Sequence, residues 1–159
     1  MPTTRTSPRS KRSGSESVDN SSCLFCKIVS RELSARLVFE DESCLAFLDH
    51  RPVFPGHCLL IPRPHYETLA DLPADLIQPF FGNVQLLARA IELAMEAHGT
   101  FVAMNNKVSQ SVPHLHVHVV PRRRKDGLKG FFWPRSPYQT AEEADAAQTA
   151  IRKAMASLL

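Results

Sequence analysis

Three histidines alternate with apolar residues in the second half of the chain, and this spacing is its strongest chemical signal. His114, His116 and His118 lie within residues 113–121, and the residue after each of them is apolar. Strict alternation predicts a strand, in which the apolar residues face a core and the histidines form a row on the other face. A strand rises about 3.3 Å per residue, so the outer two histidines would be about 13 Å apart. Zinc–nitrogen bonds are only about 2 Å long, so a single ion cannot bind all three.

Two cysteines with Cys-x-x-Cys spacing offer a second chemical site. Cys23 and Cys26 form a common zinc half-site, which needs two further ligands to be complete. His65 follows a predicted third strand and His114 opens a fifth, so both can approach the cysteines if these strands are neighbours. Without a secretory signal, such a pair favours metal or redox chemistry over a disulfide framework. The alternative is two reduced cysteines and an unrelated surface His65.

The elements that must position these residues can be read from the hydrophobic pattern. Short runs of apolar residues separated by turn residues predict five strands in an antiparallel arrangement. They are residues 37–40, 44–49, 57–61, 100–104 and 113–121. Together with the helical patterns described next, these strands indicate an α+β fold.

A long amphipathic helix is predicted over residues 73–98, because apolar residues recur there every three or four positions. Asp71 could cap its start and Gly99 could end it. Pro79 conflicts with an unbroken helix, so the helix is either kinked there or begins later. A second helix is predicted over residues 140–158.

Length and composition favour one domain. The chain has 159 residues, 43% of them hydrophobic, and a formal net charge of +3. Residues 1–20 are too polar to bury a core and predict a disordered tail, or a short basic docking arm, before a domain at 21–159. Residues 131–134 form an aromatic cluster expected to pack over an edge of the domain.

No apolar run approaches the roughly 20 residues of a membrane span, so we expect a cytoplasmic protein. The mild charge does not indicate nucleic-acid binding.

These motifs together resemble the histidine triad (HIT) family. Residues 114–120 match its signature, His-x-His-x-His followed by two apolar residues, at every position, and the resemblance extends over residues 23–133. The alternative is a chance cluster of histidines on a polar sheet face. The resemblance implies a five-stranded antiparallel sheet with one long helix, and a homodimer.

The resemblance also implies roles for individual residues. The middle histidine, His116, would be the nucleophile that attacks the α-phosphate of a nucleotide, and His118 would bind around that phosphate. In the branch with Cys-x-x-Cys, a closed structural zinc site would be formed by four residues. These are Cys23, Cys26, His65 and His114, the last of which also belongs to the triad.

Further residues match substrate-binding positions of the family. Asp49 would accept hydrogen bonds from ribose hydroxyls, although a turn-capping carboxylate is the alternative. His57 would lie near the active site, or be an ordinary half-buried strand histidine. The phosphate would be held by Asn105, Gln110 and Ser111. The family usually has glycine at the position of Ser109, a departure that affects the geometry of this loop.

The expected function is hydrolysis at the α-phosphate of a purine nucleotide, with adenosine favoured, through a covalent nucleotidyl-histidine intermediate. Two alternatives remain open. One is a nucleotidyltransferase of the galactose-1-phosphate uridylyltransferase type, although that branch has glutamine where this chain has His118. The other is a non-catalytic, zinc-stabilised nucleotide-binding or interaction protein.

Overall fold

Five strands form one antiparallel sheet in the computed structural model, which describes residues 22–128 and 137–158. The strands are β1 (Leu37–Glu40), β2 (Cys44–Leu48), β3 (Cys58–Pro62), β4 (Gly99–Ala103) and β5 (Val117–Arg122). Their order across the sheet is β1-β2-β3-β5-β4. The α+β fold predicted from the sequence is confirmed. The predicted tail 1–20 and the aromatic cluster at 131–134 lie outside the described residues.

A long helix, α2 (Ala74–Ala94), covers one face of the sheet. Its buried side chains are Phe80, Val84, Leu87 and Ile91, which belong to the predicted apolar stripe. They pack against alternate residues of the strands, among them Val117 and Val119 of β5. Each buried side chain of this size contributes about 1.5–3 kcal/mol, so this stripe is a main source of stability. The stripe is therefore part of the core.

A short helix, α1 (Leu24–Val29), packs on the opposite face. Its Phe25 and Ile28 are buried against strand residues that include Phe47 and Leu59. Because side chains alternate along a strand, Leu59 and its partner His118 point to this same face. The row of histidines therefore faces α1.

The long helix differs in detail from its prediction. It runs without a break through Pro79, whose ring nitrogen cannot donate to the carbonyl of Asp75. Asp71 does not cap it, because Asp71 ends a preceding 3-10 turn (Leu69–Asp71) and accepts bonds from Thr68 there. Gly99 does not end the helix either: the helix stops at Ala94, and Gly99 opens β4.

The histidine strand is shorter than predicted. β5 begins at Val117, because the residues before it do not form hydrogen bonds with a neighbouring strand. The N–H of Leu115, for example, donates to the carbonyl of Tyr66 at 2.6 Å. The first two histidines of the row are buried, since His114 is 0% and His116 2% exposed. Residues far away in sequence cover this face, which local alternation cannot reveal.

The chain divides into two compact units, one ending at Arg124 and the other comprising residues 125–159. The second unit contains helix α3 (Ala141–Leu158), close to the predicted bounds 140–158. Glu142 and Glu143 lie in its first turn, where negative charge is favourable. Among the described residues, no helix has the length and apolar character needed to cross a bilayer.

Candidate functional site

The ring of His116 is held in a single tautomer by the backbone. Its Nδ1 lies 2.6 Å from the carbonyl oxygen of His114, and because a carbonyl can only accept, Nδ1 carries the proton. The other nitrogen, Nε2, is then left with a free lone pair. The edge of Phe25 supports the ring, with the two centroids 5.3 Å apart. A buried, oriented imidazole with a free lone pair is the arrangement a nucleophile requires.

His114 has the opposite tautomer. Its Nε2 donates to the carbonyl oxygen of Pro62 at 2.9 Å, which leaves the Nδ1 lone pair facing two thiols. Nδ1 lies 3.5 Å from the sulfur of Cys23 and 3.6 Å from that of Cys26. Burial lowers the pKa of His114 to about 4, so its ring is neutral at physiological pH. A neutral ring with an unshared lone pair is what a metal ligand needs.

Four potential ligands converge at this point. Nδ1 of His65 lies 3.3 Å from the sulfur of Cys26, and the ligand atoms of Cys23, Cys26, His65 and His114 are all within 4.8 Å of one another. Burial raises the pKa of the Cys26 thiol to about 11, with Cys23 adding to the effect. A cation reverses this preference, because a coordinating thiol is deprotonated. The four residues are close enough to bind a metal ion, as the sequence predicted.

His118 and His57 form a hydrogen-bonded pair whose proton positions follow from a backbone donor. The N–H of Val53 donates to His57 Nδ1 at 3.2 Å, so the proton of His57 lies on Nε2. That Nε2 is 3.0 Å from Nδ1 of His118 and donates to it. The proton of His118 therefore lies on its Nε2. Burial, followed by the nearby His116 and His57, lowers the pKa of His118 to about 4, so it acts as a neutral donor.

Asp49 follows β2 and lies beside this pair. Its Oδ1 accepts from the N–H of Arg51 at 2.8 Å, and its Oδ2 lies 3.5 Å from Nδ1 of His57. The second contact becomes an ion pair only if His57 is protonated, and burial lowers the pKa of His57. The side chain of Asp49 is 15% exposed. Asp49 thus caps a turn, as the alternative interpretation had it, and still has oxygen lone pairs to offer.

A cavity of about 460 Å³ connects these residues. Its volume lies within the range typical of small-molecule sites. The predicted residues that line it are Asp49, Ser111, His116 and His118. Apolar walls are provided by residues that include Phe25, Ile28, Phe47 and Leu59. A flat apolar group such as a base could bind between these walls.

The loop before the triad is held by its own polar side chains. The amide of Gln110 accepts from the N–H of Lys107 at 2.7 Å and donates to the carbonyl of Glu67 at 2.6 Å. Asn105 donates to the carbonyl of Ser109 at 3.2 Å. In the described part of the chain, neither Gln110 nor Asn105 lines the cavity. Their visible role is to shape the loop that presents the neighbouring Ser111.

Several lining residues were missed by the sequence reasoning. Helix α1 contributes Phe25 and Ile28, and the rim includes Arg36, His50 and Arg51. The three-residue spacing of Phe25 and Ile28 puts both on one face of a helix, but it does not show what that face covers. The rim residues are exposed, and nothing in the sequence around them predicts that they line a site.

Comparisons with known proteins identify a family and several relatives. The family model described as HIT domain matches residues 30–125. An adenylylsulfatase of Arabidopsis thaliana is 35% identical over 134 residues, which cover 80% of this chain and 68% of the relative. An adenosine 5′-monophosphoramidase of Candida albicans is 31% identical over 121 residues, covering 72% of this chain and 80% of that protein.

A solved structure is also similar. The crystal structure of a HIT family member from Bacillus subtilis superimposes with a TM-score of 0.74 at 36% sequence identity. The match covers 83% of this chain and 96% of that one. The sheet, the long helix and the histidines of the site lie within the matched residues 30–125, whereas α1 with Cys23 and Cys26 precedes them.

Proposed function

Because the chain belongs to the HIT domain family, we propose that it is a hydrolase that cleaves a purine nucleotide at its α-phosphate through a nucleotidyl-His116 intermediate. The observation that carries this proposal is the tautomer of His116. Its Nδ1–H is donated to the carbonyl of His114 at 2.6 Å, so Nε2 is the free nucleophile. The names of two relatives, an adenylylsulfatase and an adenosine 5′-monophosphoramidase, support an adenylylated substrate.

In the first step, Nε2 of His116 attacks the α-phosphorus, a P–N bond forms and the bond to the leaving group breaks. The leaving group takes its proton from the substrate or from a group near Ser111. His118 donates its Nε2–H to a non-bridging phosphate oxygen, where negative charge develops. In the second step, water attacks phosphorus, the P–N bond breaks and the nucleoside monophosphate leaves. Asp49 would accept hydrogen bonds from the ribose hydroxyls.

Zinc is the metal we propose for the four-ligand cluster. With zinc–sulfur bonds of about 2.3 Å and zinc–nitrogen bonds of about 2.0 Å, a tetrahedral site has sulfur–nitrogen edges of about 3.5 Å. The contacts of Cys23 and Cys26 with the two histidines are 3.3, 3.5 and 3.6 Å. Four protein ligands leave no open position, so zinc here is structural and would tie α1 to the triad.

We also propose a homodimer. β4 is an edge strand of the sheet, and its Val102 is 43% exposed. On α2, Leu86 and Leu93 are 52% and 84% exposed. A second copy could cover these apolar side chains and pair with the edge strand. Sedimentation at micromolar protein concentration tests this, and a monomer would contradict it.

Hydrolysis of a panel of adenylylated compounds by the wild type and His116→Ala tests the proposed function. The compounds are an adenosine phosphoramidate, an adenylyl sulfate and a dinucleoside polyphosphate. We expect the variant to lose several orders of magnitude in turnover, because each 1.4 kcal/mol of lost barrier reduction is about tenfold in rate. The matched control is His98→Ala, an exposed histidine that does not line the cavity. Near-normal turnover in His116→Ala would refute the proposal.

Added phosphate acceptors separate the two alternatives. If the nucleotide is transferred to a sugar phosphate much faster than to water, the protein is a transferase. If it binds nucleoside monophosphates but turns over none of the panel, the non-catalytic alternative holds.

A further inference from the structure

We propose that Arg36 and Arg51 form a second anion subsite, which selects nucleotides that carry an additional phosphate on the ribose 2′ or 3′ oxygen. This inference rests on the proposed function, because it assumes that a nucleotide binds with its α-phosphate at His116. It concerns the part of the same cavity beside Asp49, where these two arginines lie at the rim.

Strand order places Arg36 away from the triad, whereas Arg51 lies on the turn that Asp49 caps. The cavity is lined by His116 and His118 at β5, by Leu59 of β3, and then by residues at β2 and before β1. Arg36 immediately precedes β1, three strands away from β5. Strands are about 4.8 Å apart, so the backbone of Arg36 is about 14 Å from β5 across the sheet. A carboxylate oxygen of Asp49, in contrast, lies within 4.8 Å of a ring nitrogen of His118. A nucleotide bound at the triad through its α-phosphate would direct its nucleoside towards the arginines.

Backbone contacts bring the two arginines beside Asp49. The carbonyl of Arg36 accepts from the N–H of Leu48 at 3.0 Å, so Arg36 lies next to the end of β2. The N–H of Arg51 donates to Asp49 Oδ1 at 2.8 Å. Both guanidinium groups therefore extend from backbone adjacent to the carboxylate that we assign to the ribose. A phosphate on one ribose hydroxyl would lie within their reach while Asp49 binds the other hydroxyl.

The charges at this end of the cavity are not balanced. Within the described ranges 22–128 and 137–158, neither the Arg36 nor the Arg51 side chain has a hydrogen-bond or ion-pair partner, whereas Arg31 and Arg63 both bind Glu40. Among the described residues that line the cavity, Asp49 is the one carboxylate, and its single negative charge leaves the two arginines in excess. Two unpaired guanidinium groups fit a phosphate dianion, which each can bind in a bidentate manner.

A guanine base is a less suitable partner for this pair. One arginine is sufficient to bind the O6 and N7 acceptors of guanine, and the base is neutral. The second guanidinium would then have no partner. A ribose phosphate satisfies both groups, and it extends from the sugar towards the rim, where the arginines are exposed.

Calorimetry with the full-length protein tests the subsite without requiring turnover. The probes are adenosine 5′-monophosphate, guanosine 5′-monophosphate, adenosine 2′,5′-bisphosphate and adenosine 3′,5′-bisphosphate. We expect one of the two bisphosphates to bind about tenfold more tightly than adenosine 5′-monophosphate at low salt, and the preference to fall as salt rises. The bisphosphate with the larger gain in affinity shows whether the subsite binds a phosphate on the 2′ or on the 3′ oxygen.

Variants assign the effect to these residues. In the double variant Arg36→Gln/Arg51→Gln, we expect the preferred bisphosphate to bind no more tightly than adenosine 5′-monophosphate, so that the ratio of these two affinities falls to near one. Arg89→Gln is the matched control, since Arg89 is an exposed arginine on α2 that does not line the cavity, and it should keep the full ratio.

The outcomes separate this inference from the proposed function. Binding of adenosine 5′-monophosphate with no gain from either bisphosphate would overturn the subsite and leave the proposed function intact. A gain that persists in the double variant would overturn the assignment to these arginines. A tenfold preference for guanosine 5′-monophosphate that the double variant loses would show a base-reading role and overturn the phosphate subsite. Failure to bind any nucleotide would contradict both proposals.

Discussion

His114 and His116 are joined by a 2.6 Å hydrogen bond from the Nδ1 of His116 to the carbonyl oxygen of His114. The side chain of His114 faces Cys23 and Cys26 at the same time. One residue thus belongs to the proposed metal site through its ring and orients the proposed nucleophile through its backbone. Any change that moves the ring of His114 should also disturb the tautomer and position of His116.

Removal of one thiol tests this connection. Cys26→Ala should reduce the metal content from about one zinc per chain to near zero and lower the unfolding temperature, because structural zinc sites contribute on the order of 10 kcal/mol of apparent binding energy. Turnover should also fall by about tenfold, the equivalent of 1.4 kcal/mol, as His116 loses its fixed orientation. Elemental analysis, thermal unfolding and a rate assay measure the three effects.

Cys58→Ala is the matched control. Cys58 is a buried free cysteine in the core beneath α2, and it is not part of the ligand cluster. This variant should lose some stability while keeping its metal and its turnover. Wild-type protein without zinc, prepared in the absence of chelators, would disprove the metal assignment.

The pKa of His118 predicts how stability depends on pH. Burial lowers this pKa from the ordinary value of 6.5 to about 4 in the folded protein. Between those values the unfolded chain binds more protons than the folded one, so the free energy of unfolding should decrease as pH falls from 6.5 towards 4. The contribution of His118 to the free energy of unfolding is fully present above pH 6.5. Urea unfolding at a series of pH values measures the slope.

His118→Gln isolates this contribution from the other groups that titrate in the same range. The variant has no ionisable group at position 118, so its stability should decrease less steeply over the same interval. Equal slopes for the two proteins, measured at the same metal content, would mean that His118 is not held neutral by the fold.

Serine at position 109 adopts a backbone conformation that glycine prefers. Its φ is 60°, in the left-handed region, which costs a residue with a Cβ about 1–2 kcal/mol. Ser109→Gly should therefore stabilise the protein by about 0.5–1 kcal/mol once the greater flexibility of the unfolded glycine is subtracted. Ser111→Gly, two residues later and outside the left-handed region, should instead destabilise it. Chemical denaturation measures the change in the free energy of unfolding for both variants. A change of the same sign in the two would contradict this account.

Local patterns predicted the strands, and together with the family resemblance they predicted the four potential metal ligands. The run 37–40 coincides with β1, since alternation and turn residues are local properties. Cys23 is the N-cap of α1 and Cys26 lies in its first turn, and His65 and His114 reach them because β3 and β5 are neighbours. Strand adjacency was an assumption at the sequence level, and here it is confirmed.

Features that depend on distant parts of the chain could not be predicted. The burial of His114 and His116 arises because α1, about 90 residues earlier, covers them. The pairing of His57 with His118 spans 61 residues and depends on strand register. The rim position of Arg36 and Arg51 likewise exists only once β1 and β2 are side by side.

The most direct test of the account is to trap the intermediate on His116. Wild-type protein mixed with a radiolabelled adenylylated substrate is quenched in neutral denaturant during turnover, digested and mapped by mass spectrometry. The account predicts a nucleotide adduct on the peptide that contains His116, stable at neutral pH, labile in acid as phosphoramidates are, and missing in His116→Ala. An adduct on another residue, or full turnover with no adduct at any time point, would contradict it.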